Sequence, residues 1–353
     1  MTQPKYIPTP AKDRNNSNRQ GLCGVVLASG AGQYLQPLKR RQHTDALPKQ
    51  YVRCTGTRSL LERTYDRVER LIPRERLFTV VQESHLRFSR VADQLSERSE
   101  GTVIAQPRNE TTMLALLLAL THVHKRFGDT IVASFPSDQL IWEDDRLMRY
   151  VRLAQTIVSH QPSKLVLLGV EPAYEESEYS YILPVDQWNN DGWGTRDVKH
   201  LVEKPNSAHA HELIVRGALW NTMLMVFNAA TLLGFVKCLK PNLFRHFERL
   251  RETIGTPHEA TVVRETFERV EAVDISRDLL QPVARLFPGS LCVLPVNDVL
   301  WSDRGAETRN IDTVKILRRT GYSVEPQQRR HTIFGSDRDE SFGLDQPINI
   351  SLQ

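Results

Sequence analysis

Cysteine is scarce: four residues, Cys23, Cys54, Cys238 and Cys292, are scattered over 353 positions with no C-x-x-C pair. That spacing excludes a zinc ribbon or a dithiol redox motif and predicts reduced thiols in a cytoplasmic protein. Long apolar runs are missing as well. The longest, Met113 to Leu120, is far short of the ~20 residues a bilayer-spanning helix needs, so no membrane partner is expected. An excess of one charge is also absent: 46 Lys and Arg oppose 42 Asp and Glu, and the resulting +4 is spread along the chain. This gives no basis for a nucleic-acid partner. No internal repeat or hexapeptide period is present, which argues against an appended β-helix. The first twenty residues, Met1 to Gln20, are rich in Pro, Asn and basic side chains but lack the apolar segment of a secretory signal; they are predicted to form a flexible tail.

What is present suits a sizeable α/β core. Hydrophobic residues make up 40% of the chain and aromatics 7%, enough to exclude global disorder. From Gly21 short apolar strands alternate with amphipathic helices. The strand candidates are Gly24–Ala28, Leu77–Gln82, Thr102–Gln106, Thr130–Phe135 and Lys164–Val170. Between them Ser59–Arg70, Ser84–Ser96, Thr111–Phe127 and Asp144–Ser159 keep helical spacing, the last with Asp144 or Asp145 as its cap. This alternation predicts right-handed β-α-β units and a Rossmann-like mixed, mostly parallel sheet flanked by helices. After Pro172 the texture changes to strands Tyr179–Val185, Val198–Val202 and Leu219–Phe227 joined by longer polar loops. Helices Ala229–Leu239, Asn242–Thr253 and Glu259–Val270, a strand Leu291–Leu294 and a helix near Ile311–Arg319 follow. The expected organisation is one domain over 21–320, with a nucleotide half at 21–172 and a second half at 173–320. A C-terminal tail or oligomer arm over 321–353 leaves room for a homo-oligomer.

The first strand leads into Leu27-Ala28-Ser29-Gly30-Ala31-Gly32-Gln33-Tyr34-Leu35-Gln36-Pro37-Leu38. Glycines there let backbone N–H groups approach phosphate oxygens. The loop is not a dinucleotide fingerprint, because Leu35 stands where the third Gly would be, and no Gly-Lys-Ser/Thr follows for a P-loop. Pro48-Lys49-Gln50 comes shortly after. Further on stand Gln106-Pro107-Arg108-Asn109-Glu110-Thr111-Thr112, Phe135-Pro136-Ser137-Asp138-Gln139 and Glu178-Tyr179-Ser180-Tyr181-Ile182. Val202-Glu203-Lys204-Pro205, Leu219-Trp220-Asn221-Thr222-Met223 and Trp301-Ser302-Asp303-Arg304-Gly305 complete the series. Elsewhere, His122 and His124 fall on opposite sides of a helix and His209 and His211 are two apart, so neither pair is spaced as a metal site, and no G-x-S-x-G elbow occurs.

In this order, from Val25 to about Arg319, these motifs resemble the sugar-phosphate nucleotidyltransferases, most closely those of the mannose-1-phosphate guanylyltransferase type. The resemblance implies the nucleotide-diphospho-sugar transferase fold. It also implies a reaction in which a sugar 1-phosphate attacks the α-phosphorus of a nucleoside triphosphate and pyrophosphate leaves. Positioning and charge neutralisation do most of that work. On this basis Lys49, Asp138 and Asp303 are the expected catalytic residues, with Asp138 and Asp303 holding Mg²⁺. Ala28, Gly30, Gly32, Tyr34, Gln106, Asn109 and Thr111 are expected at the nucleotide, with GTP as partner. Tyr181, Glu203, Lys204 and Asn221 are expected at the sugar phosphate, mannose 1-phosphate. Trp220 and Trp301 read as core residues. Asp138, taken alone, would equally read as a helix cap.

Five positions depart from the family pattern. Tyr34 replaces an Arg, removing a charge-assisted contact to the triphosphate that Lys39, Arg40 or Arg41 would have to supply. Ser180 replaces Gly, Thr222-Met223 replace Ser-Gly, and Gln139 replaces His. Three readings follow: an active GDP-mannose-forming transferase, a catalytically impaired relative that binds nucleotide in a regulatory role, or a transferase for another sugar phosphate or triphosphate. Retention of Lys49, Asp138, Asp303, Glu203 and Lys204 together favours an active enzyme.

Overall fold

The computed structural model describes residues 21–30, 47–53, 57–108, 111–303, 324–326 and 348–350, the last two segments as backbone only. The chain enters through β1 (Cys23–Ala28), a 3₁₀ turn (Lys49–Tyr51) and α1 (Leu60–Val68), then β2 (Leu77–Gln82), a second 3₁₀ turn (Glu83–Arg87) and α2 (Ser89–Leu95). Next come β3 (Val103–Gln106), α3 (Thr112–Phe127), β4 (Ile131–Pro136), the two-residue β5 (Leu140–Ile141), α4 (Asp144–His160) and β6 (Leu165–Val170). The second half holds β7 (Tyr181–Pro184), β8 (Arg196–Val202), α5 (Ser207–Val215), β9 (Leu219–Asn228), α6 (Ala229–Leu239), α7 (Pro241–Thr253) and α8 (Glu259–Arg269). A π-helical turn (Ser276–Leu280) running into α9 (Gln281–Leu286), β10 (Leu291–Val296) and β11 (Trp301–Ser302) end it.

The sheet is nine-stranded, in the order β3-β2-β1-β4-β9-β6-β10-β8-β7. Strands β3, β2, β1 and β4 run parallel, as do β6 and β10. β9 lies antiparallel between β4 and β6, and β8 and β7 add antiparallel pairs at the far edge. The sheet is therefore mixed as expected, with β3, β2, β1 and β4 forming a fully parallel half. Strands such as β6 (LVLLGV) and β1 (CGVVLA) are buried on both faces, which is why they read as continuous apolar runs rather than alternating ones. One face packs on α3 and α6 to α9, the other on α1, α4 and α5.

Several boundaries differ from expectation for local reasons. The helix predicted over Ser84–Ser96 is broken at Phe88, which is extended (φ −87°, ψ 121°). Neither Asp144 nor Asp145 caps α4. Glu143 is the N-cap, its carboxylate accepting from Leu300 N at 2.7 Å, while Asp144 binds the buried Arg67 at 2.6 Å. The turn and helix at 276–286 are not legible in the sequence because Pro282 looks like a breaker; it directly follows the π-helical turn, in which Gln281 N–H bonds to Ser276 O. Within the predicted C-terminal tail, Val324–Pro326 pairs antiparallel with Ile348–Ile350. The first twenty residues and the helix expected near Ile311–Arg319 lie outside the described residues. Among the described residues no helix is long and apolar enough to cross a membrane.

Candidate active site

The cleft opens where β1 and β4 end side by side, the place an α/β sheet presents to a ligand. Strand β4 stops at Pro136, and Ser137 ties back to β1: its N–H and its hydroxyl both donate to Leu27 O, at 3.2 and 2.8 Å. Asp138 then projects from the turn with its side chain 42% exposed. No helix starts there, so the capping role open to Asp138 in the sequence does not apply. Gln139 turns inward: its amide donates to Thr222 O at 2.7 Å and its carbonyl accepts from Trp301 Nε1 at 2.9 Å. That bond aligns the short antiparallel ladder of β5 with β11, in which Ser302 pairs with Leu140. The ladder carries Asp303, remote in sequence, to the side of Asp138.

Lys49 completes the group. The Lys49–Tyr51 turn brings its side chain inward until it is 2% exposed. Its ammonium lies 3.5 Å from Asp138 Oδ2 and 3.5 Å from Asp303 Oδ1, and it donates to the Asp303 carbonyl. A cation buried this fully costs several kcal/mol of hydration, which two carboxylates and a carbonyl offset. The three residues predicted as catalytic thus meet at one point. Asp138 and Asp303 border a cleft of about 220 Å³ whose walls include Ser29, Gly30, Gln50, Thr112 and Met223. A Cβ at Gly30 would meet no atom within 4 Å, so the backbone there faces open space.

Gln50 and Tyr51 fix the start of the glycine loop. Gln50 Nε2 donates to Ala28 O at 2.6 Å and to Gly30 O at 3.0 Å, and the Tyr51 hydroxyl donates to Ala28 O at 3.1 Å. Ala28 therefore contributes a carbonyl anchor. Across the cleft α3 begins at Thr112 behind an N-cap, Thr111, that makes no side-chain cap bond; the first turn has no acidic residue. Its free N–H groups and dipole favour an anion in the cleft. The Thr111 hydroxyl is buried without a hydrogen-bond partner, as is Gln106 Oε1, while Gln106 Nε2 donates to Arg108 O at 3.0 Å. Gly32, Tyr34 and Asn109 lie outside the described residues, as do Lys39, Arg40 and Arg41.

On the other side β7, β8 and β9 gather the sugar-side candidates. Asn221 N donates to Ser180 O at 2.8 Å, and the Ser180 hydroxyl donates to the Glu203 carboxylate. Lys204, with φ +42°, lies 3.3 Å from Glu178. Asn221 is turned to its own strand: Oδ1 accepts from Met223 N at 2.9 Å. Tyr181 is not presented to the cleft. It is fully buried, and its hydroxyl accepts from Glu176 N at 3.0 Å and donates to Glu176 O at 3.1 Å. Trp220 and Trp301 are buried in an aromatic cluster with Tyr174 and Tyr179, as core residues. Sequence reasoning missed Gln50 and Tyr51 as loop anchors and the left-handed backbone of Met223 (φ +57°). The position of Met223, where the family motif has Gly, was the available signal for the last.

The chain is 27% identical over 295 residues to mannose-1-phosphate guanylyltransferase 2 of Escherichia coli O157:H7, covering 81% of this chain and 58% of that protein. It is 29% identical over 230 residues to mannose-1-phosphate guanylyltransferase RfbM of Salmonella typhimurium, covering 64% and 46% respectively. The chain thus spans about half the length of the curated relatives it matches. Among solved structures, a mannose-1-phosphate geranyltransferase from Thermus thermophilus superposes with a TM-score of 0.65 at 23% identity, over 80% of this chain and 76% of that one. That likeness establishes a shared fold. Residues 23–242, more than half of the chain, match the family described as nucleotidyl transferase, and the protein belongs to that family.

Proposed function

We propose that the protein joins mannose 1-phosphate to GTP, forming GDP-mannose and pyrophosphate. The observation that carries this reading is the buried Lys49 ammonium held between the Asp138 and Asp303 carboxylates at the mouth of the cleft. In the reaction an oxygen of the sugar phosphate forms a bond to the α-phosphorus. The bond from that phosphorus to the bridging oxygen breaks, and pyrophosphate departs with the electron pair. Lys49 would neutralise charge building on the leaving oxygens, and the α3 N-terminus would direct N–H groups to the same phosphates. Gln106 Oε1, a buried acceptor with no partner, suits a donor group on the base edge, as guanine offers.

The two carboxylates fit Mg²⁺. They are hard oxygen donors, each partly exposed to the cleft and each 3.5 Å from the Lys49 ammonium. Among the described residues no cluster of three or more His, Cys, Asp or Glu forms a closed cage. Mg²⁺ characteristically takes one or two carboxylates and completes its shell with water and substrate phosphates. Bound there, it would offset the negative charge of the triphosphate oxygens. Glu203 and Lys204 remain the residues for the sugar hydroxyls and its phosphate.

The test is pyrophosphate release with GTP, mannose 1-phosphate and Mg²⁺, against an Asp138→Asn control. Turnover lost in the control supports the reading; silence of the wild type with a full panel of sugar phosphates and triphosphates overturns it. A second reading, a transferase for another sugar phosphate or triphosphate, is favoured by the Ser180 hydroxyl bonded to Glu203 and by Met223 in the cleft wall. The same panel decides it. A nucleotide-binding relative without turnover would show calorimetric binding of a nucleotide sugar and gain turnover on Tyr34→Arg.

A further inference from the structure

Three side chains from two turns gather around a single backbone oxygen. Ala28 O, at the end of β1, accepts from Gln50 Nε2 and from the Tyr51 hydroxyl. Behind the phenol, His85 Nδ1 lies 3.3 Å from the Tyr51 hydroxyl oxygen, and the two rings meet edge to face with centroids 5.5 Å apart. His85 belongs to the 3₁₀ turn after β2, and β2 pairs in parallel with β1 so that Val81 lies beside Ala28. The residues just past the two strand ends are thereby brought together. All three side chains are buried, His85 at 4% exposure and Gln50 and Tyr51 at 2%.

Proton counting sets the direction of the chain. A phenol has one proton to donate, and it goes to Ala28 O; its oxygen then accepts from the Nδ1–H of a neutral imidazole. Burial pushes the His85 pKa down to about 4, so the imidazole is neutral at pH 7. The Tyr51 backbone is held as well: Gln94 Nε2 donates to Tyr51 O at 3.1 Å, and the Gln94 carbonyl accepts from the Ser59 hydroxyl at 2.6 Å. Tyr51 is thus fixed at both ends. It is two residues from Lys49 within one tight turn, so any shift of Tyr51 moves the ammonium relative to Asp138 and Asp303.

We infer that Tyr51 and His85 are positioning residues: through Ala28 O and the Lys49–Tyr51 turn they set the Gly30 backbone and the Lys49 ammonium in mutual register for phosphoryl chemistry. The catalytic part of this inference rests on the nucleotidyltransferase reading above; the geometric part does not. A buried pair acting only as core packing would influence stability everywhere equally. A positioning pair acts on one segment and on turnover.

The experiment uses Tyr51→Phe, His85→Leu and His85→Asn in the full chain; the Asn amide keeps a donor near the Nδ1 site. Pyrophosphate release is measured with GTP, mannose 1-phosphate and Mg²⁺. Amide hydrogen exchange is followed by mass spectrometry on peptides covering 47–53. A misplacement of this kind is expected to lower kcat on the order of tenfold to a hundredfold in His85→Leu and Tyr51→Phe. Exchange over 47–53 rises selectively, and His85→Asn recovers most of both. If His85→Leu exchanges over 47–53 like wild type, or if Leu and Asn are equally impaired with protection lost throughout, the inference falls. Should wild type prove silent with all substrates, only the proposed reaction fails, because the exchange measurement needs no substrate.

Discussion

A lysine that is 2% exposed loses nearly all its hydration, and Lys49 accepts that cost beside two carboxylates at 3.5 Å. Replacing it by Met leaves a side chain of similar length without the buried charge. The expected result is a fall in pyrophosphate release on the order of a hundredfold to a thousandfold, while stability to urea changes by less than about 1 kcal/mol. Separation of the two effects would identify a residue kept for chemistry. His85 makes the opposite demand. Its folded-state pKa, about 4, lies below the ordinary value of 6.5, so the unfolded chain binds the proton more readily. The resulting stabilisation is complete above pH 6.5 and is lost as pH falls from 6.5 toward 4, amounting to about 3 kcal/mol at most. Urea unfolding of wild type should therefore weaken through that window, and His85→Asn should weaken less. His122 and His124 are also shifted down by burial and keep part of the slope in the variant. Lys49, Asp138 and Asp303 were legible in the sequence because each stands in a distinctive short motif. His85 was not, since nothing adjacent in sequence reveals that the end of β2 abuts Ala28.

Secondary-structure elements with strong local terms were read almost to the residue. α1 begins where Ser59 and Glu62 form a capping box, Ser59 Oγ accepting from Glu62 N at 3.1 Å and Glu62 accepting from Ser59 N at 2.7 Å. Ser59→Ala should cost about 1 kcal/mol in urea unfolding; the loss of its bond to Gln94 would also loosen Tyr51. β9 shows where sequence fails. It reads as one long apolar strand, yet its register against β6 shifts between Leu167 and Gly169, and Met223 bends into the left-handed region. Side chains hold the bend: Thr222 Oγ1 donates to Leu168 O at 2.6 Å, and Asn221 Oδ1 accepts from Met223 N. Such a bulge depends on neighbours that only the folded sheet supplies. The α1–α4 contact is similar: Arg67, 2% exposed, is bonded to Asp144, a pairing between helices that periodicity cannot indicate. Arg67→Ala should destabilise by about 3–5 kcal/mol because Asp144 is left without its buried partner.

At the scale of the molecule, one sheet supports two chemically different ends. The parallel half, β3-β2-β1-β4, presents the glycine backbone, the buried lysine and the α3 N-terminus, all suited to phosphates. The mixed half, β9-β6-β10-β8-β7, carries Glu203 and Lys204 just past β8, with Asn221 turned to its own strand. A nucleotide bound to the first half stabilises the whole domain by mass action. GTP at a hundred times its Kd is expected to add about 2.7 kcal/mol to unfolding, read as a rise in Tm, and Lys49→Met should abolish most of that rise. The change of texture after Pro172 does not coincide with this division, because β6, Leu165–Val170, lies between β9 and β10. The insertion of β9 between β4 and β6 was invisible, because strand order is decided by which faces cover which, not by local propensity.

The two-residue ladder of β5 and β11 has a consequence for when the site comes into being. Every strand of the large sheet is complete once the chain has passed Val296, yet Asp303 is delivered to Asp138 by a short ladder, Ser302 beside Leu140, braced by Trp301 Nε1 on Gln139 and by Asp303 N on the Tyr179 hydroxyl. Among the described residues, the acid pair is thus the part of the cleft that synthesis furnishes last. A folded sheet can exist before its acid pair does, and opening two bonded positions would part the two carboxylates while the sheet stays whole.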